Sequence, residues 1–287
     1  MNNEQKILAC VDSTAASDVV ADYAAWAARK LQAPMELLHV LDRHVELATG
    51  QDHSGAIGLG AQEKLLAKLS AEDEERTRAA RETGRVFLNR LRERAVASGA
   101  VLVDTRLRHG KVEETLAEQQ DGSRLVVIGR AGSSASNKSS GLGKHLEWVV
   151  RSVNRPVLVT SEVYLEPSKV LFAFDGSGVT RKGVEMLAAS PLLKGLSLHL
   201  LMSGTNNAQG QSRVDWAVQL LKNAGMAATS EFASGGPLDA VAHAIRTQGF
   251  NFLVMGAYSH SPLRSLFVGS KTSEMLKASK VATLLLR

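Results

Sequence analysis

Two segments of this chain read nearly alike, and their repetition limits the fold more than any other feature. Lys6-Ile-Leu-Ala-Cys-Val-Asp12-Ser13 is matched by Lys169-Val-Leu-Phe-Ala-Phe-Asp175-Gly-Ser177, the second acid standing 163 positions after the first. Each is an apolar run that ends in a carboxylate and a helix-starting serine, which reads as strand, turn, helix. A second pair, Leu125-Val-Val-Ile-Gly129 and Leu253-Val-Met-Gly256, reads as buried strands closing on glycine. These glycines stand 127 residues apart, so the first copy carries 36 extra residues between its landmarks. A duplication on this scale predicts two copies of one architecture.

Within each copy strands and helices alternate. Strands are expected near 6–11, 35–41, 101–108, 124–129 and 156–161, then near 169–174, 196–202, 227–233, 251–256 and 281–286. Helical spacing of 3.6 residues joins Val19, Tyr23, Ala27 and Leu31, and likewise Leu146, Val149, Val150 and Val153. Val214, Ala217, Val218 and Leu221 repeat it, as do Leu238, Val241, Ala242 and Ile245. Such alternation, with strands apolar on both faces, predicts an α/β fold: two tandem doubly wound domains with five-stranded parallel sheets. The expected domains are 1–161 and 168–287, joined through Thr160–Ser168.

The extra sequence falls at about 42–78. His53-Ser-Gly-Ala-Ile-Gly58-Leu-Gly60 reads as a loop, followed by a helical stretch with Leu65, Leu66 and Leu69. From Ala71 to Ser98 the chain is highly charged, with Glu72/Arg76 and Glu74/Arg78 at i,i+4 spacing, the pattern of a solvated helix face.

Composition narrows the function classes. In 287 residues, 44% are hydrophobic and 22% charged, enough apolar material for ordered cores. No apolar run reaches the ~20 residues of a membrane helix, and no signal peptide is visible. The single cysteine, Cys10, sits inside a strand-like run and reads as a structural thiol; a cytoplasmic location is expected. The net charge of +5 suits small polyanionic ligands and is too weak to argue for nucleic acid.

Parallel sheets bind ligands beyond their strand C-termini, where the winding reverses. In the second copy the sequence there is Gly256-Ala-Tyr-Ser259, then nine residues, then Gly269-Ser270-Lys271-Thr272 ahead of a helix. Glycine lets a phosphate approach the backbone, and a helix N-terminus offers free N–H donors. This pattern, with Asp175, resembles the ATP-binding branch of the universal stress proteins (UspA-like), which carry Gly-x2-Gly-x9-Gly-Ser/Thr. Serine stands at 259 where that pattern has glycine. The resemblance covers the whole chain as two copies, of the tandem UspE type.

It implies an adenine nucleotide alpha hydrolase-like fold with strand order 3-2-1-4-5. It also implies ATP, or ADP or AMP, as ligand, with or without Mg. Carried over by position, Asp175 and the backbone near Leu201 would meet adenine, and Met255 and Gly256 the ribose. Ser259, Gly269, Ser270 and Thr272 would meet the phosphates. In the first copy Asp12 and Val40 retain the adenine side, while the loop departs further. It reads Gly129-Arg-Ala-Gly132, then ten residues, then Gly143-Lys144, one residue longer and with lysine in place of Ser/Thr. The resemblance further implies a stress-related regulatory or protective role with an unidentified protein partner. Antiparallel pairing of the two last strands would make an intramolecular pseudo-dimer and leave homodimerisation open.

Other readings compete. Gly143-Lys144 is not a Walker A, because Lys138 stands where its first glycine belongs. No catalytic elbow or His pair of zinc spacing occurs, so no catalytic or metal residue is assigned. His39 and His199 read as matching second-strand positions that serve packing or a strand-end hydrogen bond. Trp26, Trp148 and Trp216 read as packing residues, and Ser234-Gly-Gly236-Pro as a turn into a helix. Asp12 and Asp175 also fit ordinary helix starts. A slow ATPase or nucleotidyl transferase of the same fold, and a nucleotide-free interaction scaffold using the arginine-rich helix, remain as alternatives.

Overall fold

Apolar strands buried on both faces need cover from helices above and below, and the chain supplies both layers. The computed structural model describes residues 6–41, 61–130, 144–257 and 271–287, the side chains of 61–67, 144 and 271 excepted. The first half runs β1 (Lys6–Val11), α1 (Ala16–Leu31), β2 (Met35–Leu41), α2 (Ala61–Ala97), β3 (Val103–His109), α3 (Val112–Gln119), β4 (Ser123–Ile128), α4 (Lys144–Ser152) and β5 (Val157–Val159). The second runs β6 (Lys169–Ala173), α5 (Gly178–Ala189), β7 (Ser197–Ser203), α6 (Ala208–Asn223), β8 (Ala227–Ala233), α7 (Pro237–Gln248), β9 (Phe252–Gly256), α8 (Lys271–Ala278) and β10 (Ala282–Leu286).

All ten strands form one sheet, ordered β3-β2-β1-β4-β5-β10-β9-β6-β7-β8. Each half thus has the expected 3-2-1-4-5 order, with every pairing inside a half parallel. The halves join where β10 pairs antiparallel with β5, Leu284 opposite Leu158. The expected intramolecular pairing of last strands is therefore present. Central strands are sealed, with Ile7, Leu8, Phe172 and Leu285 at zero exposure. The outer strands β3 and β8 instead carry Asp104, Arg106, Arg108 and Glu231, charges that discourage further strand addition.

One face is covered by α1, α2, α5 and α6 in a core that contains residues of both halves, Trp26 and Phe252 among them. The other is covered by α3, α4, α7 and α8 around Leu116, Val149, Val241 and Leu276. The 160–168 segment has no helix or strand. It is nonetheless pinned: the Tyr23 hydroxyl lies 2.8 Å from Ser161 Oγ and donates to the Leu165 carbonyl at 3.1 Å.

Two expectations need adjustment. Ser13 does not start α1, which begins at Ala16 after an Asp12 turn described below. The charged stretch and the leucines before it form one 37-residue helix, α2, where its counterpart α6 has 16 residues. The loop expected at 53–60 lies outside the described residues. Gly236 precedes α7 as anticipated, although Pro237 opens that helix without a side-chain cap.

Candidate functional site

The order of each half reverses between its first and fourth strands, and both candidate acids stand at that reversal. Cys10 pairs with Ile128, and Ala173 with Met255. Two residues beyond each first-strand partner come Asp12 and Asp175; one residue beyond each fourth-strand partner come Gly129 and Gly256.

The two acids are held by one design. Asp12 Oδ1 accepts the Thr14 N–H at 3.1 Å and the Thr14 and Ser17 hydroxyls. Asp175 Oδ1 accepts the Ser177 N–H at 2.9 Å and the Thr180 hydroxyl at 2.7 Å. Hydroxyl residues five positions on, Ser17 and Thr180, thus orient both carboxylates from the first turn of the following helix. Ser177 also caps α5, its Oγ accepting the Thr180 N–H. Desolvation alone would raise the Asp175 pKa, but the hydrogen bonds from Ser177 and Thr180 outweigh it and hold the carboxyl below its usual value. Asp175 is exposed and ionised at neutral pH.

Glycine matters at two places here. Gly176 has φ +70°, the left-handed conformation that lets the chain leave Asp175 and turn into α5. A Cβ on Gly256 would lie 3.2 Å from both Val179 Cγ1 and Thr180 Cγ2. The end of β9 therefore packs directly on the turn that orients Asp175.

Sheet register corrects one sequence inference. Leu201 pairs with Ala173 as Leu38 pairs with Cys10, so Leu201 corresponds to Leu38 and not to Val40. The counterpart of Val40 is Ser203, the last residue of β7 and partly exposed at the mouth. By the same count His39 corresponds to Met202, and His199 to Glu36, so the histidines do not match. Their environments differ accordingly. His39 is buried with Nδ1 3.0 Å from the Val11 carbonyl, fastening β2 to the residue before Asp12, and burial lowers its pKa. His199 stacks on Phe250, with Nδ1 2.8 Å from the Thr229 hydroxyl.

The remaining candidates divide. Met255 ends the buried part of β9, and Thr272 is buried in the first turn of α8. Lys144 opens α4. Ser259, Gly269 and Ser270 in the second half, and Gly132 and Gly143 in the first, lie outside the described residues. Among the described residues, no group of three His, Cys, Asp or Glu is placed to hold a metal ion. Sequence reasoning missed Ser203 and the orienting hydroxyls of Thr14, Ser17 and Thr180. A repeat of hydroxyl residues five positions after each acid was the available signal.

Fold and site together define a tandem, doubly wound α/β protein with an acid turn facing a strand-end glycine in each half. Residues 4–161, more than half of the chain, match the family described as the universal stress protein family. The chain belongs to that family. It is 29% identical over 286 residues to universal stress protein Slr1230 of Synechocystis, covering 99% of this chain and 100% of that one. Its fold is similar to that of a universal stress protein from Archaeoglobus fulgidus, at TM-score 0.71 and 17% identity, covering 99% and 98% of the two chains. It is also similar to a functionally unknown protein from Pseudomonas aeruginosa, at TM-score 0.60 and 16% identity, covering 98% and 92%. No helix among the described residues is long and apolar enough to cross a membrane.

Proposed function

We propose that this chain binds adenine nucleotide at its strand ends, with ATP, ADP or AMP as ligand, and serves a regulatory or protective role in stress. The observation that carries this reading is the twofold occurrence of one geometry. An oriented carboxylate, Asp12 or Asp175, stands beside a strand-end glycine, Gly129 or Gly256, at the reversal of strand order. Asp175, held through Oδ1, can present its carboxylate as an acceptor to the amine or hydroxyl groups of a nucleoside. The missing side chain of Gly256 lets the end of β9 pack against Val179 and Thr180, beside the turn that orients Asp175.

In the second half, Ser203 replaces Leu201 as the backbone position facing the base, with Met255 and Gly256 toward the ribose. Ser259, Gly269, Ser270 and Thr272 would supply N–H and hydroxyl donors to the phosphates at the start of α8. In the first half Val40, Gly129, Gly132, Gly143 and Lys144 would do so at the start of α4. Any Mg would travel with the phosphates. Backbone donors position phosphates without activating water, so hydrolysis would be slow at most. The halves correspond to domains 1–161 and 168–287, the expected compartment is the cytoplasm, and ligand occupancy would alter a surface read by a partner protein.

Isothermal titration with ATP tests this reading. The intact chain should bind ATP, Asp175→Ala should lose the second-half site, and Asp12→Ala with Asp175→Ala should abolish binding. Unchanged ATP binding in the double variant, or none in the native chain, overturns it.

A further inference from the structure

The two halves pack the seam between them unequally. Leu158 of β5 and Leu284 of β10 stand opposite each other in the antiparallel ladder, so the internal repeat turns about this pair. To one side of it Trp26 of α1 lies against Phe252 of β9, ring centroids 5.6 Å apart. The repeat identifies their counterparts on the other side. Trp26 and Ala189 stand 163 positions apart, as Asp12 and Asp175 do, and Leu125 and Phe252 stand 127 apart, as the strand-end glycines do. Register agrees: Leu125 pairs with Ile7, and Phe252 with Val170, which is 163 positions beyond Ile7. By the same count Tyr23 answers to Met186. Where one side of the axis holds indole, phenyl and phenol, the other therefore holds alanine, leucine and methionine. A cavity of about 190 Å³ lies there, with Leu125, Met186, Ala189 and Leu284 among its walls.

Arg124 is the one charged residue lining this cavity. An unbroken pleat would send Arg124 and Leu125 to opposite faces of the sheet. The pairing of β4 with β1 slips at this point, however, with Ser123 opposite Lys6 and Leu125 opposite Ile7. Arg124 is left unopposed, and such an irregularity re-aims a side chain. Its counterpart Asn251 is engaged with backbone: Oδ1 accepts the Ser168 and Lys169 N–H groups at 3.0 and 3.1 Å, and Nδ2 donates to Glu166 O at 2.9 Å. Arg124 is half-buried, and among the described residues it has no hydrogen bond or ion pair.

An apolar cavity of about 150 Å³ is large enough to take up benzene. A guanidinium pairs with a carboxylate through two parallel hydrogen bonds. We infer that the seam cavity binds a small aromatic carboxylate, its ring in the space whose mate Trp26 fills and its carboxylate on Arg124. The site lies at the start of β4 and the end of α5, the ends away from Gly129 and Asp175. It is thus separate from both proposed nucleotide sites and does not rest on them.

Ligand-observed NMR titration of the full chain with indole-3-carboxylate, and in parallel with neutral indole, tests this. The native chain should bind the carboxylate with a Kd of roughly 1 mM or tighter, and indole more weakly. Ala189→Trp places in α5 the side chain that fills the other side, and should abolish binding of both probes. Should that variant not fold, Leu125→Phe reads the same loss. Arg124→Gln should weaken the carboxylate roughly tenfold and leave indole unchanged. Excess ATP should displace neither probe. No binding to the native chain, undiminished binding in the filled variants, or displacement by ATP overturns the site. Arg124→Gln that weakens both probes equally, or neither, overturns the choice of a carboxylate ligand.

Discussion

The indole of Trp26, in α1 of the first half, lies 5.6 Å from the ring of Phe252, in β9 of the second half. Both side chains are fully buried. An aromatic pair across the seam, added to the β5–β10 ladder, makes one core of two halves. Trp26→Ala should therefore cost about 3–5 kcal/mol and lower the stability of both halves together. A single urea transition, shifted equally when followed by circular dichroism and by the remaining tryptophans, is the expected result.

The long helix is tied to α1 by charge. Arg94 donates to both oxygens of Asp22 at 2.8 Å, and Arg90 lies 2.7 Å from Asp18. Asp22 is 7% exposed, so removing its partner strands a nearly buried carboxylate. Arg94→Ala should cost about 2 kcal/mol. Arg90→Ala, whose partners are more exposed, should cost under about 1 kcal/mol. Denaturant midpoints of the two variants check this order.

The acid turn has a pH signature. The Asp175 pKa is lowered from 3.8, so the carboxylate form favours the native state. That contribution is present above the unfolded value and fades as pH falls through the lower native one. Thr180→Val removes one donor to the carboxylate and should destabilise at pH 7 by less than about 1 kcal/mol, since the acid is exposed and screened. Its deficit should shrink below about pH 3.8. Unfolding of native and Thr180→Val protein at pH 7 and pH 2.5 measures both ends of this window.

Burial, with a smaller contribution from Glu36, pushes the Cys10 thiol up to about 12. At pH 8 the folded chain should resist iodoacetamide, which reacts with thiolate, and should label once unfolded in urea. Mass spectrometry of the two samples distinguishes these states.

Strand positions were legible because apolar runs such as Lys6–Val11 and Lys169–Ala173 are bounded by acids and glycines that admit little choice. Winding and strand order followed from the family resemblance and from the repeat. Register was harder to read. Leu201 and Val40 are both apolar strand residues near a mouth, and only hydrogen-bonded pairing with β6 and β1 shows that Leu201 matches Leu38. Ser203 escaped attention because a polar residue at a strand end reads as the start of a loop. Side-chain contacts across the seam were illegible for another reason: Arg130 donates through Nη2 to Val281 O at 2.9 Å, 151 positions along the chain, and no local pattern joins the two. The single helix 61–97 was obscured by the change from leucines to charges along its sequence, which breaks the apolar pattern without interrupting the helix.

The account depends on each sheet mouth accepting an adenine nucleotide. Small molecules released by denaturing the purified, unsupplemented protein, followed by mass spectrometry, address this directly. The prediction is ATP, ADP or AMP, at up to two per chain, with the amount falling in Asp175→Ala. Protein that yields no adenine nucleotide, and still takes up none after incubation with ATP, would contradict it.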